Sequence, residues 1–519
     1  MKIVIIAPEQ IPVPPILGGS VEITILAIAK ELSKWHSVSI ISRAHPRYPK
    51  YSFIDGVHIY RVPTGSPAKY LTHVKKILIK RRFDVLQIDN RPEFVRQIKS
   101  MFPNATVSLY LHSLTFVNSP HTSRAETLAG LRKADLIITN SSSLESRLSA
   151  RFPSMSRKIR VAWLGVDTSR FSPIQKTSHP RAFTLLFAGR LIPRKGIPVL
   201  LQAAKLVKRQ IAQPVKVMIA GGSPTSKYAR QLQSLSRKFG VHAEFLGTVP
   251  HRSIHRVFRK ADLFICPSQK HESFGLVNVE AMSSGLPVVA SKNGGIKEII
   301  EHGRSGLLIK QYKNPQAFAD AICLLIMNKP LYLKMKQEAR QIALEKFSWS
   351  ATAARLNQIY ESEKALQQDE LQKGNHNNTF HKFDQFLDTI RGSQVHGGEV
   401  GYNPEIRGVN MTDDHCNVAD SPGHQDLPDQ HGTQPGVQPE RRQEGPDNGE
   451  GNEESGSRSG LSCFSTRDFQ NLADLRTEND DESDWSDDPA EVTFEFFSDI
   501  GYQRLVDALI YGQQNADEE

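Results

Sequence analysis

From residue 1 to about 345, short apolar runs alternate with longer stretches of helical period, the pattern of βαβ units around a parallel sheet. The runs "KIVIIA", "SVSIIS", "DVLQID", "TVSLYLH", "DLIITN" and "IRVAWLG" make one set of expected strands. A second set is "TLLFAG", "VKVMIAG", "AEFLG", "DLFICPS" and "PVVAS". Each set suffices for its own doubly wound sheet. The polar stretch "GVDTSRFSPIQKTSHPRAF", with two prolines, reads as the joint between them. A first domain is therefore expected over residues 1–172 and a second over 173–345. Residues 346–365 read as one or two terminal helices.

Beyond that point the periodicity stops. Residues 366–519 read as an acidic, low-complexity tail: between Gly374 and about Gly460 the chain is rich in Gly, Pro, Gln, Asn, Asp and Ser, the composition of disorder. Nearer the end, Phe497, Ile500, Leu505, Val506 and Leu509 approximate a helical stripe, read either as a partner-binding segment or as a weakly ordered tail. Nothing here continues the upstream pattern, as in a fusion or a frame change. Charge divides at the same place. Residues 1–360 carry 54 Lys and Arg against 20 Asp and Glu, net +34, and residues 361–519 carry 11 against 35, net −24. The overall charge of +10 thus hides two unlike objects.

No apolar run approaches the roughly 18 residues that a membrane-spanning helix needs. The opening "MKIVIIAPEQ" is cut off by Pro8 and Glu9, too early for a signal-peptide core, and reads as a first strand. Cys266, Cys323, Cys416 and Cys463 lie far apart without a CxxC, which indicates neither a disulfide framework nor a zinc ribbon. A cytoplasmic protein is expected.

Three segments could carry chemistry. Gly18 and Gly19 precede a helical pattern soon after the first strand, where backbone can approach a phosphate; the spacing is neither GxGxxG nor a Walker loop, and a plain turn is equally open. In "LLFAGRLIPRKGIPVLL", Arg190 and Lys195 follow a strand and precede a helix, bracketed by Gly189 and Gly196. A planar fork and a point charge there suit a diphosphate. The third segment, "CPSQKHESFGLVNVEAMSSGLPVVAS", sets Glu272 in a loop and Glu280 on a helix beginning near Gly275 and ending at Gly285. Glu280 would lie roughly 7–8 Å along the axis from the helix start at about 1.5 Å per residue. The carboxylates are then too far apart for a retaining glycosidase pair, which needs about 5–5.5 Å. They read instead as two clamps on an extended ligand. A nucleotide-sugar fits, with its diphosphate at the helix start, its sugar hydroxyls at Glu272 and its ribose at Glu280.

Taken in order, "GGS", His112 ending "LYLHS", "GVDTSRF", "GRLIPRKG", "AGG", "FLGTV", the Glu272-to-Glu280 spacing, "NGGIKEII", "GRSGLLI" and "FSW" resemble the family 4 glycosyltransferases of GT-B fold. The resemblance covers about residues 1–362, and the first 40 residues also look like bacterial members linked with spore-coat formation. It implies two Rossmann-like domains facing a cleft, a retaining reaction, and a last helix returning to the first domain. It implies that Arg190 and Lys195 hold the donor diphosphate and Glu280 the ribose. Glu272, with the backbone of Ser273, Phe274 and Gly275, would hold the donor sugar, and His112 would lie near that sugar. "ESFG" stands where the family usually has "EGFG", a departure expected to alter sugar contacts.

Only seven Asp occur in residues 1–360 and none is in Asp-x-Asp, so no divalent-metal clamp and no cofactor are expected. Arg190 and Lys195 would stabilise the leaving diphosphate, and its oxygen would take the acceptor proton. His112 would then position the sugar; without the resemblance it would read as a satisfied core histidine. A nucleotide-sugar epimerase and a non-catalytic coat or scaffold protein remain alternatives. Lys75, Lys76, Lys80, Arg81 and Arg82 could meet an anionic membrane or form a solvated helix face. His251 and His255, four apart, are read as surface. No reading helix or aromatic-interleaved basic motif suggests nucleic acid.

Overall fold

A computed structural model describes residues 1–174 and 182–369. Two parallel-strand sheets form one compact unit. The first comprises β1 (Lys2–Ile6), β2 (Ser37–Arg43), β3 (Tyr51–Ile54), β4 (Val57–Val62), β5 (Val85–Asp89), β6 (Thr106–Leu111), β7 (Leu136–Thr139) and β8 (Ile159–Val161). Its strand order is β3-β4-β2-β1-β5-β6-β7-β8. The second comprises β9 (Phe183–Ala188), β10 (Val215–Ala220), β11 (Ala243–Gly247), β12 (Leu263–Cys266), β13 (Val288–Ser291) and β14 (Gly306–Ile309), in the order β11-β10-β9-β12-β13-β14. Every residue of β5, β6, β7, β12 and β13 is buried, as expected of strands covered by helices on both faces.

Three strands escape the apolar-run reading. β3 and β4 pair antiparallel across Asp55 (φ 47°) and Gly56 (φ 82°), a two-residue turn of the kind an Asp-Gly pair favours. β3 alternates exposed with half-buried positions, so it shows no continuous run. β14 is only four residues long and lies at the sheet edge.

The strand order reverses between β1 and β5 in the first sheet and between β9 and β12 in the second. Open α/β sheets bind ligands in the crevice outside the strand ends at such points. The Gly18–Gly19 loop follows β1, and Asp89 ends β5. Arg190 and Lys195 follow β9, and Glu272 follows β12. Gly18, Gly19, Arg190, Lys195 and Glu272 thus stand at the two switch points, with His112 one strand further on and Glu280 in the helix after Glu272.

Residues 349–369 form one helix on the first sheet, ending four residues beyond the expected terminal helices. Ala353, Leu356 and Tyr360 are fully buried, and the Tyr360 hydroxyl donates to Gln87 Oε1 at 2.6 Å. Two further contacts hold its end: Lys364 Nζ lies 3.0 Å from Asp84 Oδ1, and Thr106 Oγ1 donates to Gln367 Oε1 at 2.8 Å. The expected low-complexity tail from 370 onward, including the stripe at Phe497–Leu509, lies outside the described residues.

The basic segment divides. In the helix Pro67–Leu78, Tyr70, Leu71, Val74 and Leu78 turn to the core. Lys75 Nζ donates to Gln97 at 2.6 Å, and the Arg81 guanidinium lies 3.8 Å from the centre of the Tyr60 ring. Lys76, Lys80 and Arg82 remain exposed beside Ile79. Of the five basic side chains, three are thus exposed and two, Lys75 and Arg81, are half-buried.

Candidate active site

The loop after β12 and the helix Leu276–Ser283 form the centre of the site. Gly275 caps that helix in a left-handed conformation (φ 97°), which a side chain would strain. Asn293 fixes the loop before it: its Nδ2 donates to Lys270 O at 2.7 Å, and its Oδ1 accepts from Glu272 N at 3.1 Å. Gly294 and Gly295 let the backbones meet. A Cβ on Gly294 would lie 2.1 Å from Glu272 O, and one on Gly295 2.4 Å from Ser273 O. "NGG" is thus a buttress for the Glu272 loop.

Lys195 ends a 3-10 turn after β9, and its Nζ lies 2.5 Å from Glu272 Oε2, with both side chains less than one-fifth exposed. Ser268 Oγ donates to the same oxygen at 3.1 Å. Burial opposes ionisation of Glu272, but the charges of Lys195 and Arg194 outweigh it and hold the carboxyl down at about 2. Stability from this pair is thus present above the ordinary carboxylate value of 4.5 and lost as pH falls toward 2. Arg190 follows Gly189 and is exposed. Arg194, which the sequence reading passed over, is the arginine whose field acts on Glu272.

Glu280 is 5% exposed, and its Oε1 lies 3.1 Å from His251 Nε2. Arg170 Nη2 lies 3.3 Å from His251 Nδ1. The same Arg170 nitrogen lies 3.4 Å from His251 Nε2, so the guanidinium sits against the ring that meets Glu280. The surface reading of His251 is therefore corrected: it begins the helix His251–Phe258 and faces the second carboxylate. His255 is half-buried, with an unpartnered Nδ1; burial and then the neighbouring arginines hold its pKa below the ordinary histidine value.

In the first sheet, His112 follows β6 and is 8% exposed, with Nε2 2.7 Å from Asp89 Oδ1. Gln87 Nε2 donates to Asp89 Oδ2 at 2.7 Å, so a hydrogen-bonded chain runs from Tyr360 through Gln87 and Asp89 to His112. The histidine is well satisfied, at the C-terminal end of β6. Asn140 Nδ2 donates to His112 O at 3.0 Å, and the next residue, Ser141, donates to Ser273 O at 2.5 Å. The His112 strand end and the Glu272 loop are joined through these two residues.

A second set of contacts closes the two halves. Glu298 accepts from Ser142 N at 2.8 Å, Ser143 N at 2.7 Å and Trp163 Nε1 at 2.9 Å, a carboxylate on the N-terminus of the helix Ser142–Arg151. Ser143 Oγ lies 2.9 Å from His271 Nε2. Burial, then Arg147, brings the His271 pKa down to about 4. Asp89, Asn293, Glu298 and His271 lie in the quoted segments "DVLQID", "NGGIKEII" and "CPSQKHESFGLVNVEAMSSGLPVVAS", but none was singled out as a site residue.

Gly18 is exposed with open space around it, whereas a Cβ on Gly19 (φ 150°) would lie 2.5 Å from Glu22 Oε2. Glu22 is 3% exposed, and burial pushes its pKa up to about 8 against the pull of its own backbone and of Arg91. A carboxyl raised in the folded state contributes stability that is full below 4.5 and lost as pH rises through 8. Glu22→Gln is therefore expected to gain on the wild type between pH 6 and 9, by on the order of 2–4 kcal/mol at the alkaline end. Parallel thermal melts over that range check this; equal pH slopes would refute a neutral Glu22.

Solved structures share this two-sheet fold. Sucrose-phosphate synthase from Thermosynechococcus elongatus superposes with a TM-score of 0.59 at 21% identity, over 70% of this chain and 99% of that one. HepE from Anabaena, in complex with UDP and glucose, gives 0.56 at 22% identity, over 70% and 100%. The fold is therefore GT-B. Spore coat protein SA of Bacillus subtilis is 30% identical over 378 residues, covering 70% of this chain and 99% of the relative. The family description "Glycosyltransferase Family 4" matches residues 18–170, and "Glycosyl transferases group 1" matches 170–342. The chain belongs to the family 4 glycosyltransferases and is a glycosyltransferase.

Proposed function

We propose that the protein transfers a sugar, with retention, from a nucleotide-sugar to an acceptor hydroxyl. One observation carries this reading: the Lys195–Glu272 pair stands between the β9 and β12 ends, beside a helix start and one helix away from Glu280. A diphosphate arriving there competes with Glu272 for Lys195. As Lys195 turns to the phosphates with Arg190, Glu272 is freed to accept hydrogen bonds from sugar hydroxyls, helped by the backbone of Ser273, Phe274 and Gly275. Glu280, oriented by His251, takes the ribose. Gly18 and Gly19 admit the phosphates from the other side, and His112, held by Asp89, positions the sugar. The leaving phosphate oxygen takes the acceptor proton on the same face through an oxocarbenium-like transition state, so neither a protein nucleophile nor a divalent metal is required. HepE's complex with UDP and glucose supports a nucleotide-sugar donor.

We place the acceptor in cell-envelope or spore-coat glycan synthesis, in keeping with the name of the Bacillus relative. The enzyme works in the cytoplasm, and Lys76, Lys80 and Arg82 meet an anionic membrane surface. No helix of the described residues is long and apolar enough to cross one.

The test is a donor screen of the full chain with UDP-, GDP- and ADP-sugars, read by mass spectrometry and NMR. One donor should be hydrolysed slowly without acceptor, release sugar of unchanged anomeric configuration, and be unaffected by EDTA. Inverted product would sink the retaining reading, an epimerised donor would make the enzyme an epimerase, and no donor binding would leave a scaffold.

A further inference from the structure

A cavity of about 690 Å³ lies where the chain crosses between the two halves, lined by the joint Val166–Arg170 and by Ser348–Ser350. That volume is in the range of small-molecule sites. Its apolar walls include Ile16 and Leu26 from the first half and the half-buried Trp349. Most of its charged groups are already engaged. Lys30 pairs with Asp55 at 2.7 Å, Glu31 with Lys34 at 2.7 Å, and Arg170 with Asp167 at 3.7 Å and with His251. Arg47 and Arg252, one from each half, are exposed and have no side-chain partner among the described residues. Two arginines and apolar side chains in one lining suit an anion with an apolar body, and Arg favours phosphate through its planar fork.

The place of the cavity separates it from the transfer chemistry. It touches the site at His251, the partner of Glu280, with Arg170 behind it, and borders the Gly18–Gly19 loop through Ile16 and Ile23; Glu272, Lys195, Arg190 and His112 are not among its lining. It therefore adjoins the expected ribose end and not the sugar end, where an acceptor must stand. Both chain crossings border it, so an occupant touches both segments that connect the halves.

We propose that this cavity is an effector site for a phosphate monoester carrying an apolar body, distinct from the donor site. Phenyl phosphate is the probe, with inorganic phosphate and phenol as controls, titrated into the full chain by calorimetry and by Trp349 fluorescence, with Trp349→Phe identifying the signal. Saturable binding of phenyl phosphate is expected, tighter than either control. Arg47→Leu and Arg252→Leu should each weaken it about tenfold or more, at about 1.4 kcal/mol per tenfold, while Lys195→Ala leaves it unchanged. Both arginines are exposed, so the variants should melt like the wild type. Donor turnover, once a donor is known, should respond to the probe in the wild type and not in the double arginine variant. Absence of saturable binding, or binding lost in Lys195→Ala and kept in the arginine variants, overturns the site. Binding without any response of turnover overturns the effector role. Because binding is read without a donor, its failure is separable from failure of the transferase reading.

Discussion

Lys195→Ala is expected to lower the sugar-transfer rate about 100- to 1,000-fold, the cost of removing one preorganised charge from a developing anion. It should also destabilise the free protein. Glu272 would be left as a largely buried carboxylate without its pair, and breaking a buried pair from one side costs about 3–5 kcal/mol. The melting temperature should fall, and the Glu272 pKa should rise from about 2, because desolvation is then opposed only by the field of Arg194 and the Ser268 hydrogen bond among the stronger influences. Removing both partners distinguishes this account from a general packing defect. The Lys195→Ala/Glu272→Ala protein should melt higher than Lys195→Ala alone while remaining inactive, since the uncompensated charge is gone. If the two stability losses simply add, the pair does not couple in solution.

Gly196→Ala should be at least as damaging, by a different route. Gly196 sits at φ +70°, and a Cβ there would lie 1.9 Å from Pro267 O and 2.9 Å from Gln269 Nε2. The left-handed conformation costs about 1–2 kcal/mol for a residue with a side chain. The clash is the larger effect, because its partner is backbone of the loop that bears Glu272. The turn carrying Lys195 must separate from that loop, and the pair is pulled apart. A loss of roughly 4–5 kcal/mol, read by urea unfolding, should accompany loss of transfer. Gly18→Ala is the control: nothing lies within 4 Å of its Cβ, so its stability should be within about 0.5 kcal/mol of the wild type. A Gly196→Ala protein as stable as that control would contradict the described packing.

Fully buried strands and the glycines at helix starts were legible because each needs only neighbours in sequence. "DVLQID" must bury both faces wherever it goes, and Gly275 and Gly285 mark the ends of the Glu280 helix by backbone conformation alone. The half-buried edge strand β3 was not legible, because its alternation is shared between solvent and a thin layer of cover. Among site residues, Lys195, Glu272 and Glu280 could be singled out by type and spacing. Their partners could not. His251 meets Glu280 across 29 residues, Lys195 meets Glu272 across 77, and Glu298 meets Ser142 across 156.

The sequence by itself determined two βαβ halves, a change of character after the terminal helices, and a set of phosphate- and hydroxyl-binding residue types at strand ends. Periodicity and local backbone preference are properties of adjacent residues, and they are enough for that. Which carboxylate is paired with which cation, which histidine faces the crevice, and where a free pair of arginines lines a cavity were decided only in the tertiary structure. Those outcomes depend on burial and on charges a few ångströms apart in space, and the crossing of two sheets brings such groups together from distant parts of the chain.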